Sequence, residues 1–258
     1  MIIFARRRHA VFTILAAFLA ATFAAPADAA ILNSLRGFDR DEVGWSGSLT
    51  GSYGAAGGNT RESTFAGSGR VQRNDGVQMI RLIAAAKRTT SRGEETAKSI
   101  MAHLRHNYRL GTRWATVAFL QAQQNPFQRL DSRYLAGVGA RYDLVDTDRV
   151  LWSLGATHMW ERERIQDRAG EKDAQRLSTF TSLEAKLGDG IVLDFLTFYQ
   201  PQWTDFGDWR LFGQIQLEVE LNHTLSLFTG YEIEHNENPP AGVEQTDWET
   251  RTGFKAAF

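Results

Sequence analysis

The sequence lacks cysteine entirely and contains only 5 prolines among its 258 residues. Without cysteine the chain can form neither disulfide bonds nor thiolate metal sites, which is compatible with export through an oxidising periplasm. Beyond residue 25 no apolar run approaches about 18 residues, so no membrane-spanning helix is predicted there. An excess of one charge is also absent, because 29 basic and 30 acidic residues leave a net charge of -1. This balance gives no electrostatic case for a nucleic-acid partner.

Overall hydrophobicity is too low for a bundle of membrane helices. The mean hydropathy is -0.34, and 43% of the residues are hydrophobic. A β-barrel remains allowed, because only every second residue of a membrane-spanning strand needs to be apolar. The 23 glycines and the aromatic fraction of 11% also suit twisted strands that carry belts of aromatic side chains.

The N-terminal segment has the three parts of a secretory signal peptide. Arg6, Arg7 and Arg8 are followed by an apolar run of about 15 residues and by the small residues Ala27 and Ala29 around Asp28. We therefore predict a signal peptide over residues 1–29 and a barrel domain over residues 30–258. Cleavage after Ala27 and an uncleaved anchor are the alternatives.

From about residue 42 onward the sequence alternates with a period of two, as expected for strands between lipid and water. The stretch 209–221 is the most regular, with apolar residues at the odd positions and mainly charged or amide residues at the even ones. Asn74-Asp75-Gly76 and Gly188-Asp189-Gly190 are typical of tight turns. The facing of three strands, near 77–90, 114–124 and 191–199, stays open, and the last is apolar on both faces apart from Asp194.

These stretches predict an all-β fold, a single up-and-down antiparallel transmembrane β-barrel of about twelve strands. The turns after even-numbered strands are short, and most of those after odd-numbered strands are predicted to be longer, with the longest polar loop at 164–176. Short periplasmic turns and longer outer loops are typical of Gram-negative outer-membrane barrels. A soluble sandwich or a lipocalin-like barrel would explain the alternation equally well.

The stretch 247–258 reads as a closing strand with aromatic residues on one face. Phe254 and Phe258 stand where outer-membrane barrels carry the pattern that directs their insertion, so we predict these two residues as an assembly signal. The expected partners are the barrel-assembly machinery, outer-membrane lipids and lipopolysaccharide. The oligomeric state is left open.

Two short stretches carry a family resemblance. Trp45-Ser46-Gly47 precedes Gly58-Asn59 at the first hairpin, and Asp131-Ser132-Arg133-Tyr134 runs into the Gly-rich stretch 137–142. Together they resemble the uncharacterised family of salt-induced outer membrane proteins, the YdiY-like proteins. The resemblance implies an outer-membrane barrel and an envelope role under salt or osmotic stress, and it implies no reaction.

The residues give little support for catalysis. His103 and His106 alternate on opposite faces of one strand, and His158 lies beside Trp160 on the predicted lipid face, as a histidine of the aromatic belt would. Neither Gly-x-Ser-x-Gly nor His-Glu-x-x-His occurs. We therefore predict no enzymatic activity, no cofactor and no metal site, with an outer-membrane lipid-modifying enzyme as one alternative.

Charged residues of both signs are predicted to point into the barrel. The proposed lumen cluster comprises Arg133, Arg141, Asp194, Arg210, Glu218 and Glu220. A barrel of about eight strands is filled by its own side chains, whereas one of about sixteen or more leaves a water channel. At twelve strands, opposite charges that pair across the lumen favour a narrow or plugged interior. A small-solute porin is the other alternative.

Overall fold

The computed structural model describes residues 43–56, 62–167 and 170–258. They form a closed barrel of twelve antiparallel strands in which neighbours in sequence pair and β1 pairs with β12. The strands are β1 (Gly44–Ala56), β2 (Glu62–Asn74), β3 (Gln78–Ser91), β4 (Glu94–Arg109), β5 (Trp114–Asn125), β6 (Leu130–Asp146), β7 (Val150–Ile165), β8 (Lys172–Gly188), β9 (Ile191–Gln202), β10 (Asp205–Glu220), β11 (Leu225–Asn236) and β12 (Thr246–Ala257). The predicted up-and-down barrel is confirmed. The predicted signal peptide and the Gly58-Asn59 turn lie outside the described residues, so both stay predictions.

Helix is almost absent from the described part of the chain. A single 3-10 turn, Pro126–Gln128, connects β5 to β6. Among the residues that the structure describes, none lies in a helix of the length and apolarity needed to cross a membrane.

Alternation along each strand separates an apolar outer face from a mostly polar interior. The structure also shows which way the three strands of open facing are oriented. Leu82 of β3, Leu120 of β5 and Phe195 of β9 are exposed on the outside, while Val117 and Leu196 are buried inside. Exposed Trp and Tyr side chains lie near strand ends on the outer face, as in aromatic belts. A closed barrel with this outer surface is an outer-membrane protein, and the soluble alternatives are set aside.

The turn predicted at Asn74-Asp75-Gly76 is present and is held by the side chain of Asp75. Its Oδ1 accepts hydrogen bonds from the backbone N–H of Val77 at 3.0 Å and of Gln78 at 2.7 Å. Gly76 has a φ of 90°, a conformation that glycine adopts without steric cost. The two backbone hydrogen bonds lower the pKa of the Asp75 carboxyl from its ordinary value of 3.8.

The predicted alternation of connection length is only partly present. Residues 166–171 and 237–245 form longer connections, but β3–β4 and β9–β10 are joined by only the residues 92–93 and 203–204. The predicted loop at 164–176 is wrong at both ends, because Arg164 still belongs to β7 and Arg176 lies inside β8 with a fully buried side chain. β7 and β8 therefore continue past the predicted loop boundaries and shorten the connection between them.

Several glycines lie where an aromatic ring covers the strand. A Cβ at Gly137 would overlap the ring of Phe119, and one at Gly155 would overlap the ring of Phe180. These lumen-facing glycines therefore make room for bulky neighbours. On the outer face, a Cβ at Gly47 would lie 2.7 Å from the ring of Phe258.

Candidate functional site in the barrel lumen

The candidate site is the interior of the barrel, which is lined by buried charged and amide side chains. The end that carries the connections β5–β6, β7–β8 and β11–β12 is called the outer end below. Fully or nearly fully buried polar residues occur on most strands. They include Gln72, Arg81, Lys87, His103, Arg105, Asn107, Arg133, Arg141, Asp143, Glu161, Glu163, Arg176, Asp194, Glu218, Glu232 and Glu249.

The largest group of ion pairs centres on Glu161 of β7. Its carboxylate accepts from Arg133 Nε at 3.1 Å and from Arg176 Nε at 2.6 Å, and it also contacts Arg210 Nη1. Glu163, two residues farther along β7, lies 3.2 Å from Arg133 Nε and 2.9 Å from Arg210 Nη1. We call these five residues the Glu161 network. Because Glu161 is on β7 and Arg210 on β10, their contact reaches over the two intervening strands β8 and β9.

Arg176 extends this network to Asp208 at the start of β10. Its Nη2 donates to Asp208 Oδ1 at 2.8 Å, and Lys172 Nζ lies 3.3 Å from Asp208 Oδ2. Its Nη1 donates to the carbonyl oxygens of Gln200 and Asp208, at 3.1 and 3.0 Å. Arg176 is thus held by carboxylates and carbonyls on three strands, which suits a guanidinium that is completely buried.

A second group of ion pairs ties β3, β11 and β12 together. Lys87 Nζ lies 3.2 Å from Glu249 Oε2, and Arg251 Nε lies 3.5 Å from Glu249 Oε1. Arg251 Nη2 also contacts Glu232 on β11. Lys255 of β12 donates to both oxygens of Glu218 on β10, at 2.7 and 2.9 Å. Lys87 therefore reaches past β2 and β1 to the opposite side of the closing seam.

An apolar cluster lies inside the lumen, where polar residues were expected. Phe180 of β8, Leu196 of β9 and Phe212 of β10 are buried together, with Phe198 packed against them. Arg105 of β4 reaches this cluster, with its guanidinium carbon 5.7 Å from the centre of the Phe180 ring. In the ring of strands, β4 and β8 are separated by three strands on the shorter side, so this contact spans the interior.

The outer end is bridged by contacts between opposite connections. Arg129, after β5, donates to the carbonyl oxygen of Ala241 at 2.6 Å and pairs with Asp167 at 2.6 Å. Gln128 donates to Asp247 Oδ2 at 3.0 Å. The β5–β6 and β11–β12 hairpins have four strands between them on either side, so these contacts cross the mouth. Beneath them lies a vestibule of about 410 Å³ whose lining includes Arg133, Arg210 and Glu163.

The predicted lumen cluster is dispersed rather than gathered at one place. Arg133 and Arg210 meet in the Glu161 network. Arg141 instead pairs with Asp143 on its own strand at 2.7 Å, Glu218 pairs with Lys255, and Asp194 is buried on β9. The structure corrects the prediction that Glu220 lies in the lumen cluster. This residue is the last of β10, beside the turn at Gly190, and its side chain is exposed to solvent because the strand ends there.

The histidines take the positions expected from alternation. His103 is buried in the lumen, with its Nδ1 2.9 Å from Gln121 Oε1, and His106 is on the outer face near Gln78. His158 packs edge-on against Trp160 and stacks with Trp203 in the aromatic belt. Within residues 43–56, 62–167 and 170–258, no group of three or more His, Asp or Glu side chains has a metal-binding arrangement.

Both aromatic residues of the predicted assembly signal lie on the outer face of the last strand. Phe254 and Phe258 are exposed there. The backbone of Phe258 exchanges two hydrogen bonds with Gly47, with N···O distances of 2.8 and 3.1 Å, and so helps to close β12 onto β1. Their role in recognition by the assembly machinery stays a prediction.

Comparison with known proteins supports the fold. The model of the family described as "Protein of unknown function, DUF481" matches residues 50–258. No curated protein matches the chain. An outer membrane channel from Pseudomonas putida F1 is similar in structure, with a TM-score of 0.53 and 11% identity over 89% of this chain and 99% of that one. The NanC porin has a TM-score of 0.48 and 10% identity, over 82% and 97% of the two chains. The translocator domain of autotransporter NalP from Neisseria meningitidis has a TM-score of 0.46 and 12% identity, over 86% and 90%.

Proposed function

The chain belongs to the DUF481 family of unknown function, and we propose that it is an outer-membrane barrel whose lumen is closed by its own side chains. Such a barrel passes at most ions or small polar solutes. The proposal excludes catalysis, and it gives the protein an envelope role under salt or osmotic stress. That role is supported only by the resemblance carried by Trp45-Ser46-Gly47 and the stretch 131–142.

The observation that carries closure is that side chains from opposite walls meet at several heights. Arg129 and Gln128 bridge the outer mouth, the Glu161 network spans β6 to β10, and Arg105 reaches Phe180 from the far wall. Most of these groups are buried and held by more than one partner. Opening a path would separate several buried ion pairs, and leaving a charge buried without its partner costs several kcal/mol.

Planar-bilayer recording of the purified mature protein tests closure directly. We expect no steady current, or only a conductance far below that of a water-filled porin. Large and stable porin-like steps in the unmodified protein would contradict the proposal.

A pair of matched variants sharpens this test. Phe180→Ala removes a ring from the lumen cluster, whereas Phe195→Ala removes the same ring from the outer face of the neighbouring strand β9. We expect conductance to rise in Phe180→Ala and to stay at the wild-type level in Phe195→Ala. An equal response in both would show that the lumen cluster does not obstruct the path. Gels of unboiled and boiled samples confirm that both variants form folded barrels.

A narrow solute channel is the second candidate, and the vestibule favours it. Its volume of about 410 Å³ is ample for a small solute, and its lining carries charges of both signs, including Arg129 and Asp247. Under this alternative, the bridging contacts of Arg129 act as a gate. Arg129→Ala should then open a measurable conductance by itself, whereas a barrel closed along its whole length would stay silent.

The proposal also includes partners at the membrane. The exposed apolar face contacts outer-membrane lipids, and charged outer-face residues such as Arg162, paired with Asp173 at 2.7 Å, are available to lipopolysaccharide phosphates. Phe254 and Phe258 are proposed as the residues read by the assembly machinery. Outer-membrane yield of Phe254→Ala and Phe258→Ala tests this role, and unchanged yield in both would contradict it.

A further inference from the structure

A small cavity in the middle of the lumen is lined by cationic side chains whose donors are incompletely used. It lies against β4 to β9 and has a volume of about 40 Å³. Its polar lining consists of His103, Arg105, Gln121, Arg133, Ser178 and Gln200. None of the described residues that line it carries a carboxylate. The lining thus combines two guanidinium groups and an imidazole with no negative charge of its own.

Arg105 is the centre of this imbalance. Its side chain is 2% exposed, its Nε donates to Asn107 Oδ1 at 3.1 Å, and its guanidinium faces the Phe180 ring. Among the residues that the structure describes, no carboxylate forms an ion pair with Arg105, and its Nη2 has no hydrogen-bond partner from the protein. Arg81 lies directly opposite on β3 and adds a second positive charge. A guanidinium stays protonated in proteins, so this charge cannot be removed by losing a proton.

Two further polar side chains on the same cavity are incompletely satisfied. Arg133 is 7% exposed, and its Nε pairs with Glu161. Its Nη2, however, has no hydrogen-bond partner from the described protein. His103 has its Nδ1 next to Gln121 Oε1, and Gln121 is oriented by donating from Nε2 to Gln123 at 2.6 Å. The other ring nitrogen, Nε2, is buried without a partner. When Nδ1 donates to Gln121, a neutral imidazole has only an acceptor at Nε2, so the buried donors without a partner in the described protein are Nη2 of Arg105 and Nη2 of Arg133.

A buried charge without a counter-charge is strongly unfavourable, and a bound ion of opposite sign offsets that cost. About 10–15 Å³ of such volume holds one water molecule, so about 40 Å³ accommodates a small ion with one or two waters. We propose that this cavity binds a small monovalent anion, of the size of chloride, between Arg105 and Arg133. We call it the lumen anion site. It is independent of whether the lumen conducts, because binding and conductance are measured separately.

The first test is direct and uses the unmodified protein. Crystals of the mature barrel grown or soaked in sodium bromide should show anomalous scattering from bromide within the cavity, in contact with Arg105 or Arg133. Bromide found only on the surface, or a cavity occupied by waters alone at high bromide concentration, would overturn the proposal.

The second test measures linkage to folding. Urea unfolding is followed at constant ionic strength while sodium gluconate, whose anion is too large for the cavity, is replaced by sodium chloride. Above the dissociation constant, each tenfold rise in chloride should lower the unfolding equilibrium constant about tenfold. Arg105→Met keeps the bulk of the side chain and removes its charge, so the chloride dependence should be lost.

Arg88→Met is the matched control, because Arg88 is an exposed arginine of β3 that pairs with Glu95. This control should keep the full chloride dependence. An identical chloride response in Arg105→Met and the wild type would contradict the site, as would no response in the wild type. If Arg105→Met fails to fold, the bromide measurement on the wild type still decides the question.

Discussion

Glu161 provides the sharpest test of how the interior is held together. Its side chain is 1% exposed and contacts Arg133, Arg176 and Arg210 at once. Glu161→Gln keeps the shape of the residue and removes its charge. The perturbation therefore leaves three buried guanidinium groups with one carboxylate fewer, and it makes no cavity.

The expected magnitude follows from what each arginine keeps. Arg133 and Arg210 retain Glu163 at 3.2 and 2.9 Å, and Arg176 retains Asp208 at 2.8 Å. Removing one partner of a buried ion pair typically costs about 3–5 kcal/mol. Because no arginine loses its last carboxylate, we expect the lower end, about 3 kcal/mol. That loss raises the unfolding equilibrium constant by about two powers of ten.

The assay is equilibrium urea unfolding of the mature protein in lipid vesicles, followed by tryptophan fluorescence. Glu95→Gln is the matched control, since Glu95 pairs at 2.7 Å with Arg88, whose side chain is 66% exposed. An exposed pair of this kind contributes about 0.2–1 kcal/mol. Equal losses in the two variants, or no loss in Glu161→Gln, would refute the argument that the buried network stabilises the barrel.

Three further predictions concern single positions. Gly137→Ala places a Cβ against the ring of Phe119 and should cost about 1–3 kcal/mol in the same unfolding assay, whereas Gly54→Ala, whose Cβ meets nothing within 4 Å, should be near neutral. Phe258→Ala should lower the heat-denaturation midpoint on gels by exposing the seam between the first and last strands, and an unchanged midpoint would contradict this. The pKa of Asp75 is lowered by its backbone hydrogen bonds, so its contribution is present above the ordinary carboxyl pKa of 3.8 and is lost as the pH falls through the lower folded value. Asp75→Ala should therefore be less stable than wild type at neutral pH and equally stable in strong acid. A stability difference that did not shrink as the pH falls would contradict the role given to the Asp75 hydrogen bonds.

The architecture could be predicted because lipid imposes a simple rule on each strand. β10 shows it best, with Trp209, Leu211 and Ile215 facing outward and Arg210 and Glu218 facing inward, as the alternation indicates. The turn at Asp75 could also be predicted, because its chemistry is local. The loop at 164–176 was wrong because polar residues occupy both faces there, with Arg162 and Asp173 exposed outside and Arg176 buried in ion pairs inside, so no apolar alternation marks the strands.

The interior could be predicted only in part. The facing of β9 was open because Leu196 and Phe198 point into the lumen, where an apolar cluster contradicts the usual polar lining. Which charges meet was also unpredictable, since Arg210 reaches Glu161 across two intervening strands. Such pairings depend on strand tilt and register around the whole barrel, and a single sequence contains no local trace of them.

The seam between β1 and β12 has a consequence for the order of folding. It has four residue pairs in register, whereas the other strand pairs have ten or more. Every other pairing joins neighbours in sequence and can form hairpin by hairpin, but the seam joins residues roughly 200 positions apart and carries the largest loop-closure entropy. Until it closes, the chain is an open sheet with two unpaired edges. Such edges are templates for strand addition from another copy. The protein is therefore most prone to aggregation during the slow closure of this seam.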